Sequence, residues 1–299
     1  EDGYLITSGG EAFHAKMVIN AAGLGAASIC RMVSDTVDFE MLPRRGEYYV
    51  ISNDEQVVDR VIFPVPTAKG KGVLAIPTVY GNTLIGPNSE QLDEPATTAT
   101  SVGGAAYIRE NISKIINDVP LHKSIRTFAG LRPSSTSKDF IIGPLDADNP
   151  DFINVASIES PGLASAPGIA EYVIDNFVID RFNPLPNADA VMTRKRPVVV
   201  SELSDEERDE LVRAKPQYGN IVCRCETISE GEIVAAIHDV CGARSVKGVK
   251  KRVRPGMGKC QGGFCEPKVV EILARELNRS PLEIVLDGRN SQILKKENR

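Results

Sequence analysis

Four cysteines in two tight groups, Cys223-Arg224-Cys225 and Cys260-Gln261-Gly262-Gly263-Phe264-Cys265, constrain this chain more than any other feature. The groups are separated by a segment long enough for two short helices, so only a folded domain brings them together. Thiolates are soft ligands, and four of them suit either a tetrahedral zinc ion or an iron–sulfur cluster. Zinc ribbons mostly use wider knuckles, and the single residue between Cys223 and Cys225 departs from that habit. A [2Fe–2S] cluster takes two thiolates at each iron, which two close pairs supply. Gly256, Gly258, Gly262 and Gly263 leave room for backbone N–H groups to approach the sulfurs and tune a reduction potential. Arg244, Lys247, Lys250, Lys251, Arg252, Arg254 and Lys259 form a run without an acid that would offset the negative charge of such a cluster. Residue by residue, the same run reads as a solvated basic face. Disulfides are the third alternative, and a chain of this size with no export pattern favours a metal or redox site over them.

At 299 residues the chain fits two domains, and 42% hydrophobic with 25% charged residues is ordinary for a globular protein. A formal charge of −5 argues against a general nucleic-acid binder, which needs a basic surface. No apolar run approaches the ~20 residues of a membrane span, and no signal-peptide pattern opens the chain, so a cytoplasmic protein without a transmembrane segment is expected. Glu1-Asp2-Gly3 leads at once into strand-like Tyr4-Leu5-Ile6-Thr7, so the chain reads as the C-terminal part of a longer protein.

The apolar runs 4–7 and 15–20 around Gly9-Gly10 predict a β-hairpin. Its second arm runs into Asn20-Ala21-Ala22-Gly23-Leu24-Gly25. That stretch lacks the third glycine and the βαβ setting of a dinucleotide fingerprint. Runs at 47–51, 57–63, 73–79 and 83–86, punctuated by Pro64, Pro66, Gly70, Gly72 and Gly81-Asn82, predict an antiparallel meander. A helix is expected over 100–117, with Ile108, Ile112, Ile115, Ile116 and Val119 inward and Pro120 as its stop. Strands follow at 124–131, 140–142 and 152–156. The small-residue loop 160–167 then leads to a helix opened by Pro167, with Ile169, Val173, Ile174, Phe177 and Val178 on one face. Residues 183–219 read as a proline-bearing linker with one exposed helix, capped by Ser204 and Glu207. Beyond Cys225 the pattern is helical: a Ser229/Glu232 capping box ahead of Ile233, Ile237 and Val240, stopped by Gly242, then helices at 245–253, from Glu266 and from Ser280.

Cys-x-Cys followed some thirty-odd residues later by Gly-x-Cys-Gln-Gly-x-x-Cys resembles the bacterioferritin-associated-ferredoxin type [2Fe–2S] domain, over roughly Asn220 to the C-terminus. Met257-Gly258-Lys259-Cys260-Gln261-Gly262-Gly263-Phe264-Cys265 is similar to the version fused to anaerobic-type glycerol-3-phosphate dehydrogenases. In residues 4–180, Val18-Ile19-Asn20-Ala21-Ala22-Gly23, Gly130-Leu131-Arg132-Pro133 and Ser160-Pro161-Gly162-Leu163-Ala164 occur in the order seen in the D-amino-acid-oxidase-like FAD flavoproteins. That superfamily includes glycerol-3-phosphate and L-2-hydroxyglutarate dehydrogenases. The resemblance implies an α+β architecture: an antiparallel and mixed β-sheet substrate domain with packed helices over 1–182, an incomplete FAD-binding fold, and a small all-α [2Fe–2S] domain over 220–299. It implies that Cys223, Cys225, Cys260 and Cys265 ligate the cluster, that Ala22 and Gly23 approach the nucleotide end of FAD, and that Gly162 and Leu163 approach its ring.

By the same resemblance Arg132 contacts the anion of a small substrate, a role suited to a permanently charged, bidentate guanidinium; a structural ion pair is the alternative. Tyr48 could hydrogen-bond that substrate or pack within its strand. Pro43-Arg44-Arg45-Gly46-Glu47-Tyr48-Tyr49 looks like the L-2-hydroxyglutarate-type relatives, whereas aerobic glycerol-phosphate enzymes tend to carry a histidine just after this glycine. His14, His122 and His238 stand in unrelated contexts, and no catalytic acid or base is read. Cys30 and Cys241 are expected to be ordinary buried thiols. The function implied is FAD-dependent oxidation of glycerol 3-phosphate or an L-2-hydroxy acid, with electrons relayed through the cluster to an acceptor protein or a quinone pathway. A non-catalytic electron-transfer or binding module and a zinc-stabilised interaction domain are the rival readings.

Overall fold

The computed structural model describes residues 3–66, 72–93 and 97–296; Gly70, expected in a turn, lies outside them. Two units emerge, one of Glu1–Val50, Gln56–His122 and Thr127–Ala190, the other of Ile51–Glu55, Lys123–Arg126 and Val191–Arg299. Sheets and helices mix in the first unit and helices dominate the second. Among the described residues no helix is long and apolar enough to cross a membrane.

The first part of the chain gives β1 (Tyr4–Ser8), β2 (Glu11–Ala15), β3 (Val18–Asn20), α1 (Ala26–Cys30), β4 (Met41–Ile51), β5 (Leu74–Pro77), β6 (Thr83–Gly86) and β7 (Glu90–Gln91). There follow α2 (Val102–Ile112), β8 (Ser124–Ser135), β9 (Ile141–Pro144), β10 (Phe152–Ala156), α3 (Gly162–Val173) and α4 (Asp180–Phe182). β1 and β2 form the expected hairpin, with Gly9 and Gly10 supplying φ of +61° and +88°. Its second arm, however, is Glu11–Ala15. The run ending in Asn20 is a separate strand, β3, paired in parallel with β10, while β9 pairs antiparallel on β10's other edge. A buried polar pair favours that register: Asn20 Nδ2 donates to Asn154 Oδ1 at 3.0 Å, and the two residues are partners across the ladder. Ala26, Ala27, Cys30, Phe39, Phe152 and Ala156 pack beside it as a small core.

The second sheet of this unit runs β5-β6-β4-β7, with β8 also on β4. Residues 57–63, expected as a strand, give only an isolated bridge between Ile62 and Ala75, because Asp59 and Arg60 are exposed and prolines follow. α2 stops at Ile112, short of the expected 117; Ile108 and Ile112 are buried, and Ile115 and Ile116 lie half-buried in the turns beyond. α3 starts at Gly162, so Pro167 lies inside the helix and does not open it. A π-helical turn, Ile174–Ile179, follows. Of the expected stripe on this segment only Val173 is fully buried.

The second unit carries α5 (Asp205–Ala214), β11 (Ile221–Cys223), β12 (Ile228–Ser229), α6 (Glu230–His238), α7 (Val246–Val253) and α8 (Glu266–Leu277). The Ser204/Glu207 and Ser229/Glu232 capping boxes both form, satisfying orphan N–H groups at the starts of α5 and α6. Ile233, Ile237, Val249, Val269 and Leu273 make a continuous core that also includes Cys223 and Cys265. α6 ends at His238, one turn before Gly242, because Asp239 takes extended backbone angles. Val240 is consequently 98% exposed and Cys241 exposed, both against expectation. The last expected helix is a single 3-10 turn, Pro281–Glu283, capped by Ser280.

Candidate functional sites

The parallel pairing of β3 with β10 puts two loops at one sheet edge. Asn20-Ala21-Ala22-Gly23 leaves the C-terminal end of β3, and the segment leading to Gly162 leaves the C-terminal end of β10. Outside the carboxyl ends of parallel strands is where open α/β sheets receive ligands. Ala22 is exposed, and Gly23, at φ +56°, has nothing within 4 Å of where a Cβ would stand. Gly162 opens α3 with no side-chain cap, and Leu163 beside it is 94% exposed. The Gly162 N–H donates to the Glu159 carbonyl at 2.6 Å, and the positive end of the helix fits an electron-rich ring edge. Beneath the β3 loop, Asn20 Nδ2 also donates to the Ala26 carbonyl at 3.0 Å, and Cys30 Sγ lies 3.0 Å from Asn154 Oδ1. Burial pushes the Cys30 thiol up, against hydrogen bonds to Asn20 and Asn154 that lower it. Cys30 is therefore a packed, neutral thiol.

Arg132 and Tyr48 meet in one cleft of about 390 Å³, with Arg44, Asn88, Tyr107 and Glu159 also on its walls. Tyr48 stacks on Phe128 with ring centroids 5.1 Å apart. Burial pushes its hydroxyl up, while the positive Arg132 pulls it down less strongly. Arg132 Nε stands 3.9 Å from Glu159 Oε2, too long for a hydrogen bond. Ala22, Gly23, Gly162 and Leu163 are not among the cleft's lining residues.

The clamp behind this cleft was not read from the sequence. Glu47 is buried; its carboxyl accepts from the Ser101 backbone N–H at 2.7 Å, from Ser101 Oγ at 2.9 Å and from Asn88 Nδ2 at 3.2 Å. Ser101 Oγ in turn accepts from Gly104 N at 2.9 Å as the N-cap of α2. Arg45 Nε faces Glu47 Oε1 at 3.3 Å without a hydrogen bond, and Arg45 Nη2 pairs with Glu90 at 2.6 Å. Glu47 is thus structural, holding the start of α2 against β4. His14 and His122 are exposed, His238 pairs with Glu276 at 2.7 Å, and none of the three lines the cleft.

In the second unit the thiols pair across the motif and not within each short group. Cys225 Sγ lies 3.7 Å from Cys260 Sγ, and Cys265 hydrogen-bonds to Cys223. Cys223 and Cys265 are 1% and 2% exposed, whereas Cys225 is exposed and Cys260 half-buried. Burial first, then the neighbouring Cys223, pushes Cys265 up to about 12. Backbone N–H groups of Phe264, then Gly262, hold Cys260 below the usual thiol range; Gly262 turns at φ +99° within that loop. A Cβ at Gly258 would overlap Cys225. Among the described residues no three His, Cys, Asp or Glu side chains gather around one metal-ion position. Two thiol pairs that cross between the motifs, one anion-stabilising loop and a close glycine fit a binuclear group better than a single tetrahedral ion.

Residues 1–176 match the family model described as FAD dependent oxidoreductase, and residues 221–275 match that of the BFD-like [2Fe-2S] binding domain. The chain is 46% identical over 301 residues to glycerol 3-phosphate dehydrogenase of Caloramator mitchellensis, covering 98% of this chain and 61% of that relative. Among solved structures it resembles the FAD-bound L-alpha-glycerophosphate oxidase of Mycoplasma pneumoniae, with a TM-score of 0.50 and 32% identity over 54% of this chain and 42% of that one. The FAD-complexed glycerol-3-phosphate dehydrogenase of Bacillus halodurans shares the fold at a TM-score of 0.50 and 17% identity, covering 91% of this chain and 49% of that one. The chain therefore spans less than two thirds of these relatives.

Proposed function

The chain belongs to the FAD dependent oxidoreductase family, and from that premise we propose that it is part of a dehydrogenase that oxidises glycerol 3-phosphate or another small anionic hydroxy substrate, such as an L-2-hydroxy acid. The observation that carries this reading is the 46% identity to a glycerol 3-phosphate dehydrogenase along 98% of the chain. The meeting of Arg132 and Tyr48 in one cleft supports it. Arg132 would hold the substrate anion, and the Tyr48 hydroxyl, which burial keeps protonated, would donate a hydrogen bond to it. Ala22 and Gly23 would border the nucleotide end of the flavin, and Gly162 and Leu163 its ring. Cys223, Cys225, Cys260 and Cys265 would be the ligands of the cluster. Bound FAD would take the hydride from the substrate carbon, and a [2Fe–2S] cluster would pass electrons on singly to an acceptor protein or quinone pathway.

On this reading residues 1–182 are the substrate side of the flavoprotein, 183–219 a linker and 220–299 the cluster domain. Thiols kept free for metal accord with a cytoplasmic setting. The test uses the full-length protein purified without oxygen. Glycerol 3-phosphate or L-2-hydroxyglutarate is expected to bleach the flavin absorbance, and metal analysis to find iron with acid-labile sulfide. Zinc in place of iron would overturn the relay, and a flavin unmoved by every small hydroxy anion tried would favour a non-catalytic module.

A further inference from the structure

We propose that Arg44 is a second anchor for the substrate anion, and that the cleft is built for a phosphomonoester of a small polyol in preference to a carboxylate. The inference rests on the reading of this cleft as the substrate site. β4 alternates along Pro43-Arg44-Arg45-Gly46-Glu47-Tyr48: residues 43, 45 and 47 are buried, and Arg44 and Tyr48 both line the cleft. The two adjacent arginines therefore have opposite fates. Arg45 is committed to the clamp, with Nη1 donating to the Ala99 carbonyl at 2.8 Å, Nη2 paired to Glu90 at 2.6 Å and Nε 3.3 Å from Glu47. Arg44 is half-buried and has no ion pair among the described residues.

The cleft thus holds two guanidiniums, Arg44 and Arg132, against one carboxylate, Glu159, which stands 3.9 Å from Arg132. Tyr48 adds a neutral donor, while Asn88 Nδ2 is held by Glu47. One guanidinium saturates a carboxylate through a bidentate pair. A phosphomonoester carries up to two charges on three terminal oxygens and can engage both arginines at once. About 390 Å³ is room for a three-carbon chain with its phosphate.

The experiment compares wild type with Arg44→Gln in the full-length, flavin-loaded protein. Glycerol 3-phosphate is the substrate and inorganic phosphate the competing inhibitor. KM and the phosphate inhibition constant are expected to rise together by roughly 10- to 100-fold, the scale of a charge-assisted hydrogen-bonded contact, with kcat within about twofold. The flavin spectrum and Tm should not move, and Arg44→Lys should recover part of the loss. Both constants unchanged, in an enzyme that oxidises glycerol 3-phosphate, would overturn the role of Arg44 and leave the substrate reading standing. A wild type inert to glycerol 3-phosphate and indifferent to phosphate would remove that reading and this inference with it. Should Arg44→Gln fail to retain flavin, Arg44→Lys carries the test: an unmoved phosphate inhibition constant there overturns the proposal.

Discussion

The Arg45–Glu47 clamp and the Cys223–Cys265 pair of the four-thiol site both put ionisable side chains out of reach of water, and they meet the desolvation cost in opposite ways. Glu47 and Arg45 neutralise each other from one strand, with Glu90, Ser101, Asn88 and the Ala99 carbonyl satisfying much of what remains. That region reaches its final electrostatics by folding alone. Cys223 and Cys265 sit instead within an apolar core of Ile233, Val249, Val269 and Leu273. Of the nearby cations, Lys247 pairs with Asp287 at 3.1 Å, Arg254 with Glu226 at 2.9 Å and Lys259 with Asp54 at 2.7 Å, while the half-buried Lys250 acts on Cys265. Three of the seven basic residues read from the sequence are therefore spent on local carboxylates, and Arg244 and Arg252 donate to backbone carbonyls. A metal would supply the positive charge that lets buried thiolates persist.

The sharpest way to break this contrast is Cys265→Ser. It should remove nearly all iron and labile sulfide from the anaerobically purified protein, because a buried ligand site depends on deprotonated thiolates. Cys225→Ser, at the exposed rim, should also lose metal but with a smaller drop in thermal midpoint. Full iron retention by Cys265→Ser would end the comparison.

Glu47→Ala tests the other side. Stranding Arg45 without its buried partner should destabilise the protein by about 3–5 kcal/mol in denaturant titration. A loss under about 1 kcal/mol would mean that Glu90 alone compensates Arg45.

The smallest effect is expected at Glu230, which is buried at the start of α6. Burial raises its carboxyl, but hydrogen bonds from Arg275 and Asn220 outweigh that and hold it below the usual carboxylate range. A lowered folded-state pKa stabilises the fold above the unfolded value of 4.5, and the gain fades as pH falls through the folded value. Glu230→Gln should therefore cost about 1 kcal/mol near neutrality and nothing at strongly acid pH, read from pH-dependent denaturation. A variant whose deficit is the same at all pH values would show that packing, not charge, matters there.

Local signals were the legible part of the fold. Ser-x-x-Glu boxes marked the starts of α5 and α6, and a Gly-Gly pair marked the β1–β2 turn. The resemblance to D-amino-acid-oxidase-like and bacterioferritin-associated-ferredoxin-like proteins is matched by both family models. What stayed hidden depended on distant partners. β3 looked like a hairpin arm because its true neighbour, β10, lies more than a hundred residues away, and nothing local announces a parallel pairing. The thiols looked paired within each short motif, whereas the fold crosses them. Val240 looked buried because helical periodicity continues through Asp239, where the backbone turns out of the helix and leaves Cys241 exposed as well. Arg44 could have been found: a period of two applied to residues 43–48 puts it on the same strand face as Tyr48.

The alternation along β4 also sets which kinds of genetic change this protein can absorb. Substitutions on the cleft face alter the lining of the cleft while the clamp on the opposite face keeps α2 in place. An insertion or deletion of one residue within Met41–Ile51 has no such freedom. It would swap the faces, sending Arg45 and Glu47 into the cleft and Arg44 and Tyr48 into the interior. The lining of the cleft along this strand is thus tunable by changing letters but not by changing length.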